Sequence, residues 1–275
     1  PGIIWPARAW GVENLSAADH VLKVINAGCD QFGGESRPEL VIQLVKEGKL
    51  SEKRIDSSIA RVLRVKFELG LFDNPFVDES KVDEVIGNKE SLALGEKSQQ
   101  ISMTLLKNDE SILPLKQNEL KVYIQNIDST TVSKYATVVA TPEEADIAIL
   151  RLDTPWYPVE TKNPFAQGFH HGDLDFKGAK KDSIMTLLNK VPTVVDIYLD
   201  RPAVIPEIAA KAKALIADYG ASDKSVCEVL FGNEKPLGKL PLELPSSMKA
   251  VKNQKTDVPY DSKNPLYKFG FGLTY

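Results

Sequence analysis

The sequence predicts an α/β protein, with a doubly wound, mostly parallel sheet in its second half and a largely helical segment before it. Short aliphatic runs suited to buried strands fall at 121–127, 136–140, 146–152, 193–199 and 214–219. Helix-length segments at 180–189, 204–212 and 222–231 are interleaved with the later runs. Strands alternating with helices through short turns build parallel sheets. Residues 1–70 differ, with three helical patterns around one strand-like run.

In chain order, a helix is expected over 16–27. Ser16 is its candidate cap with Asp19 three residues on, Ala18, Val21, Leu22 and Ile25 form its apolar stripe, and Gly28 stops it. CDQFGG at 29–34 then reads as a short strand. A second helix is expected to begin at Ser36, with Glu39 completing a capping box and Leu40, Val41, Leu44 and Val45 inward, and to end at Gly48. A third runs from Ser51 to Gly70 with Ile55, Ile59, Val62, Leu63 and Phe67 on one face. One strand cannot close a sheet under three helices. This segment is expected to pack on the following domain, on a preceding portion of a longer protein or on another copy of the chain, so a homo-oligomer is a possible partner. Residues 71–85 have the polar, proline-containing look of a linker, 89–102 reads as a helix, and the C-terminal tail reads as ordered coil.

The 275 residues are 43% hydrophobic and 26% charged, with a formal charge of −4. No run approaches the roughly 20 apolar residues of a membrane span, and no basic stripe suits a nucleic-acid backbone. Neither a membrane nor a nucleic acid is expected as a partner. Cys29 and Cys227 lack metal-ligand spacing and read as buried thiols. No Walker sequence or G-x-G-x-x-G follows a strand, so no cofactor is expected. The N-terminal residues, PGIIW, have neither an initiator Met nor a signal-peptide pattern. The chain therefore reads as a piece of something longer, and its compartment stays open.

The chemistry is concentrated at 146–176, DIAILRLDTPWYPVETKNPFAQGFHHGDLDF. An apolar strand pattern opens into a loop whose prolines Pro155, Pro158 and Pro164 exclude a regular element. Loops leaving the carboxyl ends of strands are where open α/β sheets bind ligands. Glu160, beside aromatic residues, has the makings of a general acid if partial desolvation raises its pKa, and otherwise is a solvated loop carboxylate. His170 and His171, followed by Asp173, suit a base with an orienting carboxylate, metal ligands or contacts to substrate hydroxyls, the last being preferred. No third metal ligand lies nearby, so no metal site is expected. Trp156, Tyr157 and Phe169 suit a sugar-stacking surface or a cover for the sheet edge. Arg8, Trp10, Glu13 and Glu35 lie in loops that precede helices, and Glu35 is a candidate for substrate contact. Asp200-Arg201-Pro202 ends a strand at the same edge, where a structural salt bridge is the preferred reading.

Several stretches together resemble glycoside hydrolase family 3, the group of β-glucosidases and exo-acting glucan hydrolases. SEKRIDSSIARVLRVKFELGLFDNPFVD is similar to the end of that family's first domain, and SQQISMTLLKNDESILPL to the start of its second. VCEVLFGNEKPLGKLPLELP and PLYKFGFGLTY resemble the second domain's closing motifs, and ARAWGVENLSAADHVLKVINAGCDQFGGE resembles the last part of the first. The resemblance implies the tail of a (β/α)8 barrel over 1–72, a linker and connecting helix over 73–104, and a six-stranded α/β sandwich over 105–275.

It also implies a retaining glycosidase acting on β-glucosides or related terminal sugars, with two carboxyl groups about 5–5.5 Å apart. The family's nucleophile is an Asp followed by Trp. No such pair occurs here, and its place falls upstream of Pro1, so this chain by itself is expected to be inactive. Glu160-Thr161-Lys162 matches the Glu-Thr-Lys of the plant-type acid/base loop, which makes Glu160 the implied acid/base. The Gly-Asp that follows in the plant motif is Asn163-Pro164 here, which leaves His170 or Asp173 as residues that share the role. The other reading, of a different class, is a non-catalytic carbohydrate-binding or scaffold module.

Overall fold

The computed structural model describes residues 12–158, 160, 167–255 and 257–275. These fall into two compact units, one of residues 12–85 with 160 and 167–169, the other of the remainder.

In the first unit, helix α1 (Ala17–Asn26) starts where Ser16 Oγ accepts the Asp19 amide, as its cap pattern predicts. Helix α2 (Pro38–Lys46) begins two residues later than expected. Proline suits a first helical position, so Pro38 opens the helix, and Glu39 pairs with Arg37 instead of completing a capping box with Ser36. Helix α3 (Glu52–Glu68) is capped by Ser51. The strand expected at 29–34 is not formed; these residues are irregular, with no neighbouring strand among the described residues to complete a ladder. What orders them is polar. Asp30 accepts two hydrogen bonds of 2.7 Å from Arg61 and one from Ser58, while Arg54 reaches the carbonyls of Ile25 and Cys29. The buried hydrophobic cluster is small, formed by Val21, Ile25, Leu44 and Leu50.

The second unit opens with helix α4 (Lys89–Ser102) and contains one six-stranded sheet. Its strands are β1 (Thr104–Asn108), β2 (Lys121–Gln125), β3 (Thr137–Val138), β4 (Ile147–Asp153), β5 (Thr193–Tyr198) and β6 (Ala214–Asp218), in the order β1-β6-β5-β4-β2-β3. All pairings are parallel except that of β1 with β6. Five of these strands are legible as aliphatic runs. Strand β1 is not, because it follows α4 with no turn residue to separate the two patterns.

Side chains alternate across the sheet, and both faces are covered. Leu150, Ile197 and Leu215 pack beneath α5 (Gly178–Lys190) and α6 (Pro206–Lys211), while Ile149, Val194 and Ile216 pack beneath α7 (Asp223–Leu230). The short α8 (Met248–Lys252) lies in the tail. That tail runs back over the start of β1, where Leu273 donates to the Leu105 carbonyl at 2.8 Å. Gly238 permits this: a Cβ there would fall 1.9 Å from the Ser102 carbonyl oxygen. Among the described residues no helix is long and apolar enough to cross a membrane.

Candidate active-site loop

The carboxyl ends of β4 and β5 make a braced base for the loop that follows β4. Thr154 is buried and uses both its amide and its hydroxyl on the Tyr198 carbonyl, at 3.1 and 2.7 Å, tying the outgoing chain to the end of β5. Tyr157 then bonds to the returning chain twice: its amide donates to the His171 carbonyl and its hydroxyl to the Asp175 carbonyl, both at 2.8 Å. Gly172 packs so tightly against the Tyr157 ring that a Cβ would sit 2.8 Å from the tyrosine Cβ, and its φ of +81° also suits glycine. Arg201 Nη2 donates to the Gly172 carbonyl at 2.7 Å, and the Val204 amide to that of Leu174 at 2.8 Å. Residues 154–157 and 170–175 are therefore held to each other and to the segment after β5.

The predicted site residues divide on this frame. Trp156, 44% exposed, stacks on His170 with ring centroids 4.9 Å apart and planes 4° from parallel. His170 Nδ1 is paired with Asp200 Oδ2. Asp200, where a structural salt bridge was expected, has one of the candidate histidines as its partner, an ion pair when that imidazole is protonated. His171 lies half-buried in the returning stem, where its carbonyl serves the Tyr157 amide. Asp173 is ion-paired with Lys177, whose hydrogen bond lowers the carboxyl pKa. Lys177 also stands 5.3 Å over the Tyr157 ring, and burial raises the tyrosine's own pKa.

Glu160 is solvent-exposed coil and belongs, like Glu35, to the first unit. Glu35 is half-buried ahead of α2, and Glu13 is exposed. Arg8, Trp10, Lys162 and the rest of 161–166 lie outside the described residues.

One cluster escaped the sequence reading. Arg151 on β4 sends Nε to Asp196 of β5 at 3.1 Å, Nη2 to Asp218 of β6 at 3.3 Å, and Nη1 to Asp223 at the start of α7. Asp196 and Asp218 are fully buried, and Asp218 accepts the amides of Gly220 and Ala221 at 2.7 and 2.8 Å. The available signal was a charge inside each of three otherwise aliphatic strands. Cys29 and Cys227 are free thiols, with burial raising that of Cys227 to about 12. Among the described residues no group of three or more His, Cys, Asp or Glu side chains is placed to hold a metal ion.

The sequence profile of the glycosyl hydrolase family 3 C-terminal domain matches residues 123–275. The chain is 50% identical over its whole length to a probable β-glucosidase C of Aspergillus flavus, covering 43% of that protein. It is 49% identical to β-glucosidase C of Emericella nidulans, with 98% of this chain matched to 44% of that one. A periplasmic β-glucosidase/β-xylosidase of Dickeya chrysanthemi is 38% identical, with 97% of this chain and 41% of that protein covered. The chain thus spans less than half the length of these relatives. Among solved structures, a β-glucosidase from Listeria innocua in complex with glucose superposes with a TM-score of 0.67 at 20% identity, covering 94% of this chain and 44% of that one. A β-glucosidase from Erythrobacter marinus gives 0.70 at 19% identity, covering 96% and 46%. These two establish the fold, and the sequence matches establish the lineage. The chain belongs to glycosyl hydrolase family 3 and carries that family's C-terminal domain.

Proposed function

We propose that this chain is the acid/base-bearing part of a retaining glycosidase that cleaves β-glucosides or related terminal sugars. The observation that carries the reading is Glu160: an exposed carboxylate in the loop after β4, three residues beyond the braced segment 154–157, in a chain 50% identical to a probable β-glucosidase. Asp173 is the poorer proton donor, because its hydrogen bond with Lys177 favours the ionised form.

In the proposed reaction Glu160, protonated, gives its proton to the glycosidic oxygen as the bond from C1 to that oxygen breaks. A second carboxylate takes C1, forming a glycosyl ester. Glu160, now ionised, removes a proton from water, which attacks C1 and releases the nucleophile. That nucleophile comes from the remainder of a longer protein, which also covers apolar side chains such as Phe67, Phe72 and Phe76, exposed in the first unit. The present chain by itself is inactive, and within it residues 1–72, 73–104 and 105–275 are barrel tail, linker and sandwich.

Replacing Glu160 with Ala in the full-length protein is expected to lower kcat/KM for alkyl glucosides by about 10²–10⁴-fold. Substrates whose leaving groups depart without protonation should lose far less in the glycosylation step. An equal loss on both substrate types would falsify the assignment.

A further inference from the structure

Asp200 has no part in the chemistry just described, yet its carboxylate sits where three separate segments of the second unit meet. Trp156 comes from the stem leaving β4, His170 from the returning stem, and Asp200 from the turn after β5. The exposures of the two rings are similar, 44% for Trp156 and 43% for the His170 side chain. The half-exposed imidazole lies within 4° of parallel to the indole. A second restraint on the imidazole is the pairing of His170 Nδ1 with Asp200, whose side chain is only 23% exposed. Asp200 is itself held, because Thr154 Oγ1 also approaches the carbonyl of the adjacent Arg201 at 3.3 Å while Arg201 grips the Gly172 carbonyl.

We propose that Asp200 is a positioning residue: it fixes the His170 ring, and the fixed imidazole backs Trp156 to make a rigid two-ring platform for a neutral, ring-shaped leaving group. Neutrality follows from the surrounding charges, since Asp200 is committed to His170 and Asp173 to Lys177. Ring shape follows from the surface offered, an aromatic face that accepts the C–H face of a pyranose or an aryl ring at little entropic cost. Assignment to the leaving group rests on the reading of Glu160 above. Trp156 lies four residues before it in the sequence, and the acid protonates the leaving-group oxygen.

Two measurements test this. In the 275-residue chain, the indole N–H resonance of Trp156, identified by its loss in Trp156→Phe, should move in Asp200→Ala and stay near its original position in Asp200→Asn, whose amide oxygen still accepts from Nδ1. In the full-length protein, Asp200→Ala should raise KM for phenyl β-glucoside and cellobiose about two- to tenfold with kcat held. KM for methyl β-glucoside should not change, and Asp200→Asn should restore most of the loss. An unmoved indole resonance, or a KM rise shared equally by the methyl glucoside, overturns the proposal. If the resonance moves as expected while Glu160→Ala shows no leaving-group dependence, Asp200's positioning role stands and the Glu160 reading is what fails.

Discussion

Each unit holds an aspartate–arginine cluster, and the two have opposite stoichiometry. In the first, a single carboxylate, Asp30, lies between Arg61 at 2.7 Å and Arg54 at 3.5 Å, with its side chain 25% exposed. In the second, one guanidinium, Arg151, serves Asp196, Asp218 and Asp223. The hydrogen bonds from Arg61 and Ser58 hold Asp30 well below the usual carboxylate range. Asp196 goes the other way: complete burial, then the neighbouring charge of Asp218, push it well above that range. Arg151 Nε lies near Asp196, but neither carboxylate oxygen of Asp196 has an aligned hydrogen bond. The same two residue types thus reach opposite protonation behaviour. Burial and the count of opposing charges decide it.

The largest expected effect breaks the second cluster outright. Arg151→Ala leaves Asp196 and Asp218 buried without their cation and should destabilise the sheet unit by about 3–5 kcal/mol. Chemical denaturation of the chain measures this, and a loss under about 1 kcal/mol would show that the strand ends are held by something else.

A subtler contrast lies in pH dependence. Asp196 has a raised folded-state pKa, so its contribution is fully present below about 3.8 and is lost as pH rises from there through the folded value. Asp196→Asn should remove that decline and be at least as stable as the parent chain at neutral pH. Asp30 has a lowered pKa, so its stabilisation is present above about 3.8 and fades as pH falls toward the folded value. Asp30→Asn should flatten the acid limb of the first unit's unfolding curve, followed by the helical circular dichroism signal. Two variants that change the pH profile in the same direction would contradict the contrast drawn between the clusters.

The smallest effect concerns what covers the first unit. Phe76 is 82% exposed, so Phe76→Ser should change the stability of this chain by no more than about 0.5 kcal/mol. In the full-length protein the same change should cost distinctly more if another portion packs there. Matching small values in both would argue that this surface stays open.

How much of this was legible beforehand differs by element. The cap at Ser16, the apolar stripe that starts after Ser51 and the aliphatic runs of β2 to β6 are local signals, and they placed helices and strands to within a few residues. The strand expected at 29–34 is not formed, because a ladder needs a neighbour and none lies beside it among the described residues. Ser36 lost its place as a cap to a competing local preference, proline at the first helical turn. Strand β1 was hidden by its contact in sequence with α4. In the loop, composition drew attention to Glu160, Trp156 and His170, while Asp200 read as a structural salt bridge whose partner, 30 residues away, no local pattern names.

The sequence by itself therefore determined the fold class, most of the helix starts, most of the strands and the loop in which the chemistry is sought. These follow from side-chain periodicity and capping, which act over a few residues. Only the tertiary structure decided which charges meet. Parallel strand pairing carried Arg151 to Asp196, and the return of the chain after β4 carried His170 to Asp200. Such pairings join residues tens of positions apart, and their protonation depends on a burial that no local pattern encodes.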